Sequence, residues 1–174
     1  MPASPAHPYN SWMKHFRCAL AFCLLVPPAT ARADTAILKG LPRAFHVAVA
    51  PLDPEARHAG LNEAGLAKVI SSRLAKRHVG TNGIPDAEVY GQVVVLTSHS
   101  VTGQVLGYGA HVELSCREKA LLRRDRTTVF MAPVWFKGNV TVANPKQFVD
   151  DVVHALATLT DQFLDDYQRE NPNH

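Results

Sequence analysis

The sequence predicts an α+β fold: a mainly antiparallel sheet of about four strands with two helices packed on one face. Three observations predict it. In residues 105–118, Tyr108, Ala110, Val112, Leu114 and Cys116 alternate with Gly109, His111, Glu113, Ser115 and Arg117. That is the period of two expected of a strand with one dry face. Near the end of the chain, Phe148, Val149, Val152, Val153, Leu156, Leu159, Phe163, Leu164 and Tyr167 recur at helical spacing. So wide an apolar stripe must cover a sheet or a partner. The elements run strand, helix, strands, helix, an order that packs most simply as two helices on one side of an antiparallel sheet.

The front of the chain is read as an address rather than as structure. Lys14 and Arg17 precede the apolar run Cys18 to Val26, Pro27-Pro28 breaks it, and Ala31-Arg32-Ala33 supplies small residues at a cleavage position. This is the layout of a secretory signal peptide. The run is about half of the roughly 20 apolar residues that a membrane span needs. Residues 1–33 are therefore the predicted signal region, with translation expected to begin at Met13 and cleavage after Ala33. Residues 34–174 form the predicted single domain, periplasmic or secreted. Phe22 stands before Cys23 where a lipoprotein site wants a small residue, so lipidation is not expected.

Removing that leader changes the charge argument. All 15 acidic residues follow Ala33, while Lys14, Arg17 and Arg32 leave with it, so 15 basic residues remain against 15 acidic. A nucleic-acid binder keeps a basic excess to neutralise phosphates, and that class is disfavoured. Cys116 becomes the single cysteine, so an internal disulfide is excluded and stability must come from packing.

From residue 34 on, Arg43 to Leu52 reads as a strand, apolar on both faces and so expected in the sheet interior. Asp53 to Gly60 reads as a loop. Leu61 to Val79 is the first helix, with Leu66, Val69, Ile70 and Leu74 inward, Asn62 or Gly60 at its start and Gly80 at its end. Glu88 to Ser98 and Val105 to Glu118 are strands about a turn centred on Thr102-Gly103. Arg123-Arg124-Asp125-Arg126 makes a polar tip. Thr127 to Ala143 returns, with Pro133 marking a bulge or an edge. Asn144-Pro145 is expected to open the last helix, and Asn171-Pro172 to stop it.

The leader and this element order are similar to small periplasmic α/β modules such as the amino-terminal domain of TolB. The ending Phe163-Leu164-Asp165-Asp166-Tyr167, followed by Asn171-Pro172, resembles the tails of small exported bacterial proteins of unknown function. The resemblance implies a scaffold for contacts in the cell envelope, without a catalytic centre.

The residues themselves offer little chemistry. There is no HExxH, no C-x-x-C and no G-x-S-x-G, so zinc-protease and serine-hydrolase signatures are missing. His99 and His111 are weak metal candidates, able to meet only if their strands bring them together, and no cofactor is expected. Asp150-Asp151 and Asp165-Asp166 are adjacent on a helix, where neighbours diverge by about 100° and share no site. Charge distribution points elsewhere. Arg117, Lys119, Arg123, Arg124 and Arg126 collect around one hairpin, and Val134-Trp135-Phe136 beside them offers Trp135 as an aromatic anchor, with at least one of the two rings expected in the core. Such a cluster suits an acidic envelope protein or an anionic surface. The function expected is a non-enzymatic envelope adaptor using that hairpin or a sheet edge. The alternative is a small-ligand or metal-binding protein using the wet sheet face.

Overall fold

The computed structural model describes residues 35–83, 86–124 and 127–173. The predicted leader, its start at Met13, its cleavage after Ala33 and the hairpin residue Arg126 lie outside them. Within them four strands make one sheet in the order β1-β2-β3-β4: β1 (His46–Val49), β2 (Ala87–His99), β3 (Val105–Leu121) and β4 (Val129–Ala143). Two long helices, α2 (Glu63–Lys76) and α3 (Phe148–Glu170), supply the helical layer, and a short α1 (Pro54–His58) precedes them. The fold is α+β, as the patterning predicts.

β2, β3 and β4 are antiparallel, whereas β1 runs parallel to β2 and stands at the edge of the sheet. This corrects the expectation of an interior first strand. Its apolar residues are covered by α2 on one side and are small (Ala48) on the other, so an apolar run of this kind does not require two neighbours. The predicted loop at 53–60 contains α1, because Asp53 caps it through Ala56 N at 2.7 Å and Pro54 fits the first turn.

α2 begins as predicted, with Asn62 Oδ1 accepting from Gly65 N at 2.7 Å. Its end differs. The helix stops at Lys76, and His78, not Gly80, takes the left-handed conformation at φ 60°. Val79 N donates to Leu74 O and His78 N to Ala75 O, the paired bonds of a Schellman cap. Gly80 instead bridges to Ala44, where an added Cβ would lie 2.8 Å from the Ala44 Cβ. At the other helix, Asn144-Pro145 opens a turn rather than α3 itself. Asn144 Oδ1 accepts from Lys146 N and Gln147 N, and the helix starts at Phe148.

The core lies between the helices and the inner sheet face. Val89, Val93 and Val95 of β2 and Ala110, Val112, Leu114 and Cys116 of β3 meet Leu66, Ile70 and Leu74 of α2 and the buried stripe of α3. Gly91 matters here, since an added Cβ would lie 3.2 Å from Ile70 Cδ1. An aromatic group of Phe45, Trp135, Phe163 and Tyr167 fills the end of the core nearest the start of β1. Arg73–Asp161 and Arg77–Asp165, at 2.7 and 2.9 Å, join α2 to α3. Elsewhere Glu63 accepts from Leu52 N and from Arg57, bonds that hold its carboxyl at about 2.

Candidate interaction surface

The register sets out the outer sheet face, the one without helices, as cross-strand rows. From β2 through β3 to β4 they read Glu88, Arg117, Pro133; Tyr90, Ser115, Phe136; Gln92, Glu113, Gly138; Val94, His111, Val140; and Leu96, Gly109, Val142. Pro133 does disturb the ladder, since the register shifts between Cys116 and Arg117 and leaves Val134 between the paired Pro133 and Trp135. Arg117 ties Glu88, Tyr90 and Ser115 of the first two rows together, while Phe136 stands exposed beside them. The last two are apolar at both margins.

At one end β3 and β4 outrun the sheet. β2 begins at Ala87 opposite Glu118, and Lys119 N still reaches Asp86 O at 2.8 Å. Beyond this the hairpin continues alone through the pairs Ala120↔Phe130 and Leu121↔Val129, and Leu122 N donates to Thr128 O. The projection from Glu118 to Leu121 is about 10 Å at strand rise. With no third strand beside it among the described residues, the hairpin leaves Leu121 60%, Leu122 38%, Val129 48% and Phe130 43% exposed. Arg123 and Arg124 stand exposed at its turn, with no ion pair among the described residues. Sequence reasoning misses these four apolar residues as surface. Only the unequal lengths of the strand patterns, Thr127 to Ala143 against Glu88 to Ser98, hint at an overhang.

The other predicted site residues divide. Arg117 belongs to the sheet face, not to the tip. Its guanidinium lies 3.6 Å over the Tyr90 ring, Nε donates to Ser115 Oγ at 3.2 Å, and Glu88 is 3.7 Å away. Held in this way, it stiffens the outer face. Lys119 sits at the base of the projection, 3.1 Å from Asp86. Trp135 is a core residue, 4% exposed, because its strand phase turns it toward α3, where it packs on Phe163 and donates Nε1 to Asp166. It offers no ring to a partner. Phe136, the next residue, is the exposed aromatic.

His99 and His111 do not meet. His99 pairs with Val105 and His111 with Val94, so five to six residues, about 17–20 Å of strand, separate them. The His111 ring instead lies across Gly138, where an added Cβ would fall 2.8 Å from its Nε2. Among the described residues no three His, Cys, Asp or Glu side chains converge as metal ligands. A hollow of about 220 Å³ lined by Arg43, Arg77, His78 and Tyr167 has its cations already engaged. Arg43 donates to Asn173 O, and Arg77 to Asp165 and Gln168. Cys116 is fully buried, and burial pushes its thiol up to about 12, leaving it without nucleophile character near neutral pH.

No helix among the described residues is long and apolar enough to cross a membrane. No family model matches the chain, and no curated protein matches it. Among solved structures, a PelC dodecamer from Paraburkholderia phytofirmans is similar over 68% of this chain and 86% of its own, at 13% identity and a TM-score of 0.38. The rare lipoprotein B from Shewanella oneidensis is similar over 75% of this chain and 97% of its own, at 11% identity and a TM-score of 0.36. Neither likeness bears on function at these values. Neither structure is a TolB domain, and the expected likeness to TolB is not shown.

Proposed function

We propose that this chain is exported and acts in the cell envelope as a non-enzymatic binding protein, seating the β3–β4 hairpin tip in an acidic protein partner. The signal-like layout of residues 13–33, basic residues before a short apolar run and small residues at its exit, supports the setting. The observation that carries the mode of binding is the projecting hairpin itself, with exposed Leu121, Leu122, Val129 and Phe130 below Arg123 and Arg124, which are exposed and form no ion pair among the described residues. Exposed apolar residues beside charge mark a contact surface. The order of these residues favours a protein socket over a bilayer. The arginines stand at the apex, so immersing the apolar residues in hydrocarbon would carry the guanidinium groups deeper still, at a cost of several kcal/mol on the order of 2.5–3.5 each.

The experiment is affinity capture from envelope extract with the tagged full chain and two variants, Arg123→Gln/Arg124→Gln/Arg126→Gln and Leu121→Ser/Phe130→Ser. A protein retained by the parent chain and lost at least tenfold from both variants, with weaker salt dependence in the arginine variant, is the expected result. Equal recovery on all three chains overturns the hairpin reading. Capture of anionic vesicles in place of a protein would reassign the tip to a lipid surface.

A further inference from the structure

β4 closes the sheet, and its outer edge pairs with no strand among the described residues. An open edge is a template for another strand unless something guards it. The first half of β4 is guarded, because Pro133 lacks an N–H, the ladder shifts beside it, and Lys137 adds a charge. The second half is not. From Gly138 to Ala143 the strand has neither charge nor proline and pairs with β3 without a break, from Gly138↔Glu113 to Ala143↔Tyr108. Val140 and Val142 stand 69% and 80% exposed.

We infer that this edge pairs with the same edge of a second copy of the chain, antiparallel about a twofold axis through Thr141. The register follows from the residues. A continuous sheet keeps both outer faces on one side, so even-numbered residues must oppose even-numbered ones. Centring on Thr141 sets Val140 opposite Val142 of the second copy, Thr141 opposite itself and Asn139 opposite Ala143. β-branched cross-strand pairs of this kind contribute roughly 0.2–1 kcal/mol each. A twofold through Val140 would waste Val142 on Gly138, and one through Val142 would set Val140 against Asn144. The centre of the stretch, Val140-Thr141-Val142, reads the same in both directions, so a twofold through Thr141 sets a β-branched residue opposite a β-branched one at all three positions. Charge agrees, since Lys137 falls opposite Pro145, past the strand end, so no like charges on the paired strands face each other. Pairing also brings the exposed Val140 and Val142 of one copy beside those of the other, in one apolar patch at the centre of the joined sheet. Five residue pairs bury less than the about 1,200 Å² of a standard interface, so the dimer dissociates on dilution. The inference is independent of the hairpin reading, because Thr141 lies about 40 Å of strand from Val129.

Sedimentation velocity on the full chain over a concentration series tests it, with two variants at exposed positions. Val140→Lys/Val142→Lys sets like charges directly opposite in both valine pairs, and Val140→Glu/Val142→Lys sets opposite charges in the same register. The expected result is a reversible dimer for the parent chain, at least tenfold weaker for the double lysine variant and restored for the glutamate–lysine variant. Circular dichroism confirms that each variant is folded. A parent chain still monomeric at about 1 mM overturns the inference and leaves the edge to a strand from another protein. A double lysine variant that dimerises as tightly as the parent overturns it, as does a glutamate–lysine variant no tighter than the double lysine one.

Discussion

Asp166→Asn tests whether Trp135 is held in the core by one ionised carboxylate. Trp135 Nε1 donates to Asp166 Oδ2 at 3.0 Å, Lys137 Nζ to the same oxygen at 3.1 Å, and Arg169 to Oδ1. The carboxylate is only 14% exposed. Burial works against its ionisation, but the hydrogen bonds from Trp135, Lys137 and Arg169 outweigh it and hold the carboxyl below its usual range. Asparagine keeps the shape and one acceptor, yet it turns an NH2 toward a cation. Hydrogen bonds to a charged group contribute about 1.5–3 kcal/mol net against about 0.5–1.5 for neutral ones, so the substitution costs about 1–2 kcal/mol at pH 7. With a urea slope of about 2 kcal/mol per molar, the unfolding midpoint drops by roughly 0.5–1 M. The sign with pH follows from the lowered folded value. A carboxylate of this kind stabilises above its unfolded pKa of about 3.9, and the contribution disappears as pH falls through the folded value. Urea titrations followed by far-ultraviolet circular dichroism should therefore show a gap between parent and variant at pH 7 that closes toward pH 2. An equal gap at both pH values would refute the ionised network.

Two further outcomes follow from single residues. His78→Gly relieves a left-handed conformation that costs an L-residue about 1–2 kcal/mol, and after the chain entropy of glycine the protein gains about 1 kcal/mol, read as a higher urea midpoint. Destabilisation would mean that the imidazole makes contacts outweighing the backbone strain. In a Cys18→Ser/Cys23→Ser chain, Cys116 should react with a thiol reagent at pH 8 at least about 10³ times more slowly than in urea, because its thiolate is suppressed. Comparable rates would place it at the surface.

The local patterns were legible where one element settles them alone. The alternation of β3 assigns Leu114 and Cys116 to the core and His111 and Glu113 to solvent, and the structure keeps that division. Asn62 and the stripe of α3 were readable for the same reason, as a cap and a period need only neighbours within a turn or two. Asp165 and Asp166 diverge as helix geometry demands, one toward Arg77 of α2 and the other toward Trp135 and Lys137. His78 as the helix end was not readable, since Gly80 two residues on carries the stronger local preference.

What the sequence by itself determined is the class of fold, the two faces of its strands and the gathering of basic residues about one hairpin. These follow from periodicity and charge, which are properties of a chain segment. Only the tertiary structure decided that β1 is a parallel edge strand, that Trp135 turns inward to Asp166 while Leu121 and Phe130 stay exposed, and that His99 and His111 remain far apart. Each of these depends on which strand lies beside which and where each one stops. Pairing is a relation between distant segments, and a one-residue change of phase exchanges the buried face for the exposed one.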